Sequence, residues 1–412
     1  MHIGTDVIAC VFKLDWVDWN IFKKQLSERK ARPIWEPLEN DMQIMLYAGG
    51  FLGPFGGGIT VAMLPELGAD FGVSPATAAG SLTAYLVPFA GLMLVSGTLG
   101  ARWGAQRSVR VAYLVYVVSS LLCAVSSWFP LFLAGRVVQG AGNAFTTPLL
   151  LVAVATSTPR HRLGRALGLF SSMQAAGQTS APLLGGLAAE VTWRLAFLGV
   201  ALVALALALL TRTDDRSDQE RPVAAEPVRL RSAWRPAVLR LGVAVLVGWA
   251  CLGGVSFLVA FRLEDVFGLG AAARGLLLTG FGVLGLLCAR PVGHLIDRIG
   301  GRTSAIIGAV AGAVPVALVG VLPSVAAVAV LWALAGVATQ FLLVGVNAMV
   351  LSGHGENRSG TISVVQAFRF FGLALTPVVL TPIYHVAPAA AFLLPAALLI
   401  VVVPLSLQVH TE

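Results

Sequence analysis

Residues 97–104 read GTLGARWG, and 196 residues further on, residues 293–300 read GHLIDRIG. The flanking glycines, the leucine and the arginine coincide. At the same offset Gly57-Gly58 falls on Gly253-Gly254, Phe71-Gly72 on Phe267-Gly268, and Arg162-x-Gly164 on Arg358-x-Gly360. One constant offset joining matches from position 57 to position 164 marks an internal duplication. Parallel repeats of this kind occur in membrane transporters whose halves rock about a central site.

The composition agrees. Of 412 residues, 57% are hydrophobic and only 12% charged, with 45 glycines and a mean hydropathy of +0.84. A soluble chain carries about 25% charged residues, so there is too little polar surface here to cover a water-facing globule. Disorder is excluded by the same arithmetic. Cys10, Cys123, Cys251 and Cys288 lie far apart, which excludes a disulfide scaffold and a cysteine metal site.

A membrane-spanning helix needs about 20 mostly apolar residues. Segments of that kind lie near 43–65, 76–99, 108–128, 131–155, 165–189, 193–211, 237–261, 271–296, 303–322, 324–350, 359–384 and 387–408. The expected fold is an all-α integral membrane protein. Its 12 transmembrane helices form two six-helix bundles related by a pseudo-twofold along the membrane normal. The expected parts are a tail at 1–42, a bundle at 43–211, a charged linker at 212–236, a second bundle at 237–408 and a short C-terminus at 409–412.

The cations orient this arrangement. With a cytoplasmic N-terminus, 22 of the 28 Lys and Arg residues fall on the cytoplasmic side. Only Arg194, Arg262 and Arg274 fall opposite, and Arg136, Arg290 and Arg369 lie inside spans. That asymmetry obeys the positive-inside rule. It places both termini in the cytoplasm of a multi-pass protein of the plasma (inner) membrane, and it accounts for the net charge of +8 without nucleic acid.

Spans 3, 6, 9 and 12 carry almost no strongly polar side chains and can face lipid all round. Spans 4, 5, 10 and 11 differ. Span 4 places Arg136, Gln139, Asn143 and Thr147 on one helical stripe. Span 5 carries Ser171, Gln174 and Gln178, span 10 Gln340 and Asn347, and span 11 Ser363, Gln366 and Arg369. Lipid cannot satisfy a polar stripe, so these faces are the candidate lining of a substrate cavity. Interhelical hydrogen bonding is the alternative for any single amide. Arg136 and Arg369 are stronger candidates, because a mid-membrane charge costs about 2.5–3.5 kcal/mol on insertion scales. Arg290, nearer the cytoplasmic end, can snorkel.

None of the twenty Asp and Glu residues lies in the middle of a span, and no histidine does. The embedded charge is positive, which favours neutral or anionic cargo. No lysine follows Lys30, so there is no Walker loop. Gly280-x-Gly282-x-x-Gly285 matches a dinucleotide fingerprint but lies inside a span, where small residues serve helix packing. No mid-span cluster of acids, histidines or nucleophile with base supports an intramembrane enzyme. No cofactor and no metal is expected.

At these residues the chain resembles the major facilitator superfamily, and within it the twelve-span drug:proton antiporter branch. Gly97-Thr-Leu99-Gly-Ala101-Arg102-Trp-Gly104 looks like the family motif G-x-L-x-D-R-x-G, with Ala101 in place of the Asp. The copy Gly293-His-Leu295-Ile-Asp297-Arg298-Ile-Gly300-Gly-Arg302 is complete. Arg136-x-x-Gln139-Gly140-x-Gly142 matches R-x-x-Q-G-x-G. Gly177-x-x-x-Ala181-Pro182-x-x-Gly185-Gly186 resembles the antiporter motif of span 5, with one Gly replaced by Ala. Leu64-Pro65 and Trp193-Arg194 also fit.

The resemblance implies a secondary transporter that exports small amphipathic, drug-like molecules. It implies protons as the coupling partner, a lipid bilayer as surroundings and a monomer. It also implies that Gly97, Arg102, Gly104, Gly293, Asp297, Arg298, Gly300 and Arg302 latch the cytoplasmic ends in the outward-facing state. Asp297 can serve in that latch and Ala101 cannot, so the latch is one-sided and the cytoplasmic side opens more easily. The Gly177/Pro182/Gly185/Gly186 run suits close helix approach and a kink where the halves slide. Two alternatives stay open. One is a facilitator or importer of an organic anion held by Arg136 and Arg369, and the other is a non-transporting membrane sensor.

Overall fold

In the computed structural model, residues 37–158, 163–211, 236–352 and 358–408 are described. The expected linker 212–236 falls almost wholly outside them, as do most of the tail 1–42 and the C-terminus 409–412. The described residues are helical throughout and contain no strand. In chain order the helices are α1 (Pro37–Gly58), a 3₁₀ turn (Val61–Met63), α2 (Leu64–Phe71), α3 (Pro75–Trp103), α4 (Ala105–Val125), α5 (Phe129–Ser157), α6 (Leu163–Ala189) and α7 (Arg194–Leu210). They continue with α8 (Pro236–Trp249), a π-helical turn (Ala250–Gly254), α9 (Ser256–Asp265), α10 (Ala271–Ile299), α11 (Gly301–Val321), α12 (Val325–Ser352), α13 (Arg358–Val386) and α14 (Ala390–Ser406). Eight helical stretches are long and apolar enough to cross a membrane, and α7 and α14 are shorter apolar helices. The remaining two apolar segments of the sequence, 43–65 and 165–189, are helical as well, on α1 with its continuation and on α6. The first described helix starts at Pro37, six residues before the apolar onset.

The duplication is written in the backbone. α10 repeats α3 at both ends with the 196-residue offset, α11 repeats α4, and α14 repeats α7; α12 and α13 repeat α5 and α6 to within one residue. The four positive-φ residues are glycines in two pairs with the same separation, Gly72 (64°) with Gly268 (63°) and Gly104 (89°) with Gly300 (80°). Gly104 and Gly300 close the repeated motif. Each turns the chain from one long helix into the next in a single residue, a conformation that glycine alone adopts without strain.

Residues 45–412 form one compact unit, and of residues 1–44 only the start of α1 is described. Up to residue 211, α5 packs against α3 and α4, and α4 against α7. From residue 236, α12 packs against α10 and α11, α11 against α14, and α8 against α13. Two long seams join these halves, α3 with α13 and α6 with α10. Exchanging each helix for its repeat partner turns one seam into the other. The outward surfaces are apolar, with Val118, Val125, Leu202 and Leu209 all more than 60% exposed, as lipid-facing helix flanks must be.

Candidate functional site

Arg136 on α5 is wholly buried. Its Nη1 donates to the Gly56 carbonyl of α1 (3.1 Å) and to Gln139 Oε1, and its Nε donates to the Ser81 carbonyl of α3 (3.4 Å). Gln139 Nε2 passes the chain to Ser120 Oγ on α4 (2.7 Å). One turn on, Asn143 Nδ2 donates to the Tyr85 hydroxyl (2.8 Å), which donates to the Gly53 carbonyl (3.0 Å) and lies 3.1 Å from the Tyr116 hydroxyl. The guanidinium sits 4.4 Å over the Tyr85 ring. The span-4 stripe of the sequence therefore meets α1, α3 and α4 in one closed polar network. α4 departs from the expectation of a helix free to face lipid all round, since it lends Tyr116 and Ser120 to this network. The sequence reading passed over Ser81, Tyr85, Tyr116 and Ser120, because single hydroxyls in apolar spans look like packing residues.

Arg369 on α13 is placed differently. It is half-buried, and its guanidinium lies 4.5 Å over the ring of Trp249 and 5.3 Å from that of Phe370. Its Nη2 lies 3.5 Å from Gln178 Oε1, which belongs to α6 in the other half, and its Nε has no partner. Trp249 closes α8 immediately before the π-helical turn, and Thr376 of α13 donates to the Ala250 carbonyl inside that turn (3.2 Å). Irregular turns of this kind inside helices are frequent at functional sites. Gln178 is exposed at mid-helix although it faces Arg369, so this part of the seam is open to solvent-sized space. Gln174 and Gln366 are half-buried, Asn347 is exposed, and Gln340 packs against Gly285 of α10. Among the described residues no hydrogen bond joins these four to Arg369. A cavity of about 700 Å³ between Trp103, Arg107 and Phe145 is lined only by first-half residues, and none of the sequence-predicted polar lining contributes to it.

The glycine-rich run of α6 makes close backbone crossings. A Cβ on Gly177 or Gly185 would run into the Phe51 or Ile59 carbonyl oxygen of the α1 region. A Cβ on Gly186 would meet the Ala271 carbonyl of α10, and one on Gly275 of α10 would meet the Pro182 carbonyl. Gly282 lies against Thr179, so the dinucleotide-like glycines serve helix contact.

At the end that the charge count assigns to the outside, one arginine joins the halves. Arg274 at the start of α10 is buried; its Nη2 pairs with Glu66 of α2 (2.6 Å to Oε2) and its Nη1 with Glu264 of α9 (3.1 Å). Its Nε donates to the Ala62 carbonyl (3.1 Å) and its Nη1 to the Leu269 carbonyl (3.0 Å). Beside it the backbone N–H of Ala272 donates to Glu190 Oε1 (2.9 Å), a carboxylate at a helix N-terminus. Asp70 accepts from Arg194 and from Trp193 Nε1 (3.1 Å) within the first half. The sequence treats these charges as loop residues, because Glu66 and Arg274 lie 208 positions apart. Opposite charges at the outer ends of spans 1, 7 and 8 are the only signal that pairs them.

At the opposite end the described charged residues of the repeated motif are exposed. A Cβ on Gly97 or Gly293 would meet nothing within 4 Å, and Asp297, Arg298, Gly300 and Arg302 are all exposed. Asp297 has no ion pair with another described side chain, and the side chain of Arg102 lies outside the described residues. Every ion pair among the described residues is at the outer end.

A family model described as Major Facilitator Superfamily matches residues 46–289 and 259–410. The uncharacterized MFS-type transporter EfpA of Mycobacterium tuberculosis is 33% identical over 192 residues, covering 45% of this chain and 36% of that protein. A multidrug resistance protein B homolog from the same organism is 34% identical over 152 residues, covering 36% of this chain and 28% of that protein. The chain thus spans about a third of the length of these curated relatives. Among solved structures, the nucleoside transporter NupG superposes with a TM-score of 0.72 at 11% identity, over 88% of this chain and 98% of that one. A bacterial homolog of the human lysosomal transporter Spinster, inward-facing and unoccupied, gives 0.69 at 16% identity, over 90% of this chain and 94% of that one. These likenesses are of fold.

Proposed function

Because the chain belongs to the Major Facilitator Superfamily, we propose that it is a secondary transporter that works by alternating access. In this reading twelve membrane-crossing segments form two six-helix bundles about a pseudo-twofold along the membrane normal, with both termini in the cytoplasm and a monomer as the working unit. The helix-for-helix offset of 196 residues and the paired seams support it. The observation that carries it is the inequality of the two ends. Arg274 and Glu190 tie the halves at the outer end, while the repeated motif at the inner end stands in open space. Among the described residues, that inequality supports an inward-facing state of an alternating-access cycle.

Cargo would enter between the seams, where Gln174, Gln178, Gln340, Asn347, Gln366 and Arg369 supply the polar lining. Arg136, Gln139 and Asn143 would act behind that lining by holding α1, α3, α4 and α5 in register. Likeness to a multidrug resistance homolog favours export of small amphipathic molecules. Proton coupling then falls to Glu66, which meets Arg274 across the halves, and to Glu264, which meets it within the second half. Flux into sealed vesicles under an imposed pH gradient tests the reading, with matched aromatic cations and anions as cargo. Gradient-dependent movement is expected; no movement of any cargo by the reconstituted protein would overturn it.

A further inference from the structure

Arg136, Arg262 and Arg274 are buried and Arg369 is half-buried, and the four differ in what answers their charge. Arg262 donates to the Leu322 carbonyl (3.1 Å) beside the Phe267 ring, with its Nε unpartnered. Arg274 has two carboxylates and two carbonyls. Arg136 has two carbonyls, a glutamine oxygen and a ring face, with its Nη2 unpartnered. Arg369 has one glutamine oxygen at 3.5 Å, two aromatic rings and an unpartnered Nε. A charge at membrane depth is costly unless a counter-charge or acceptors meet it, and no described acidic side chain pairs with Arg369. Stacking on Trp249 covers a face of the guanidinium and leaves its in-plane N–H fork, the part that binds a carboxylate bidentately. Gln178, exposed beside it, presents an amide from the opposite half, and Phe370 continues the aromatic wall to Phe89 (4.6 Å, edge on).

We infer that Arg369, stacked on Trp249 and faced by Gln178, is the binding site for the acid group of an aromatic organic carboxylate, whose ring lies along the Trp249–Phe370 wall. The inference rests on the transport reading above and names its cargo. One carboxylate oxygen accepts from Nε and the other from Nη2. The Gln178 amide turns from weak acceptor to donor, so that the cargo draws α6 toward α13.

Isothermal titration on the full chain in lipid nanodiscs tests this with 1-naphthoate, neutral 1-naphthamide and cationic 1-naphthylmethylamine, three ligands with one ring system. Naphthoate should bind at least tenfold more tightly than either analogue. Arg369→Gln should erase the preference, while Arg369→Lys, which keeps the charge and loses the fork, should retain part of it with an unchanged melting temperature. Equal naphthoate affinity in Arg369→Gln, or tightest binding of the ammonium analogue, would overturn the site. Vesicle uptake of the same ligands separates the two readings. Naphthoate bound through Arg369 with none of the ligands carried upholds the site and sinks the transport reading. Ammonium carried while naphthoate is neither bound nor carried does the reverse.

Discussion

Arg136 and Arg369 look alike in the sequence, each an arginine in a span with a glutamine three residues away. Their surroundings separate them. Arg136 is walled in by Gly56, Ser81, Gln139 and Tyr85, so replacing it strands carbonyl acceptors on two other helices and the Gln139 amide around an unfilled hole. Hydrogen bonds to a charged group are each worth about 1.5–3 kcal/mol. Arg136→Gln should therefore cost the fold about 2 kcal/mol or more, read as a lowered melting temperature in detergent. Arg136→Lys should rescue little, because one ammonium cannot reach both carbonyls and the amide. Which of the two arginines is structural was not legible from spacing, since the decision rests with Tyr85, Tyr116 and Ser120 on other helices. The Arg274 pairs were hidden for the same reason. Glu66 is remote in sequence, and all three side chains meet only because α2, α9 and α10 converge.

At the scale of the element the sequence was far more readable. Apolar run length located the long helices, and the GTLGARWG and GHLIDRIG copies set the offset that the helix ends obey, because hydrophobic length and turn glycines act locally. What run length missed was the interior of the first and seventh segments. There the 3₁₀ turn at Val61–Met63 and the π-turn at Ala250–Gly254 break the helix without a polar residue to announce it. The α6–α10 seam is a backbone-to-backbone contact at Gly186 and Gly275. Gly186→Val or Gly275→Val should hold these helices apart and lower flux more than tenfold, while circular dichroism still reports full helix content. In the motif after α3, Ala101→Asp should restore the missing half of the inner latch and favour the outward-facing state. Asp297→Asn should weaken the remaining half. Alkylation of cysteines placed near the inner mouth should slow in the first variant and speed up in the second.

Over the whole molecule, the closed outer end should be separable from the fold. Arg274→Ala leaves Glu66 and Glu264 facing each other as like charges, so outside labelling of a cysteine at Thr83 should rise in a background free of native cysteines. A cysteine pair at Glu190 and Ala272 should do the opposite. Oxidation should lock the outer seam and stop flux, and a reductant should restore it. The duplication itself has one more consequence. Backbone, small residues and the arginines of the repeated motif recur at 196, but the polar groups inside the helical body do not: Arg136 is answered by Trp332, Gln178 by Ala374 and Arg369 by Met173. The scaffold is a matched pair of hands with the charged finger on only one of them, so a passenger held by Arg369 would ride off-centre, fastened chiefly to the later half.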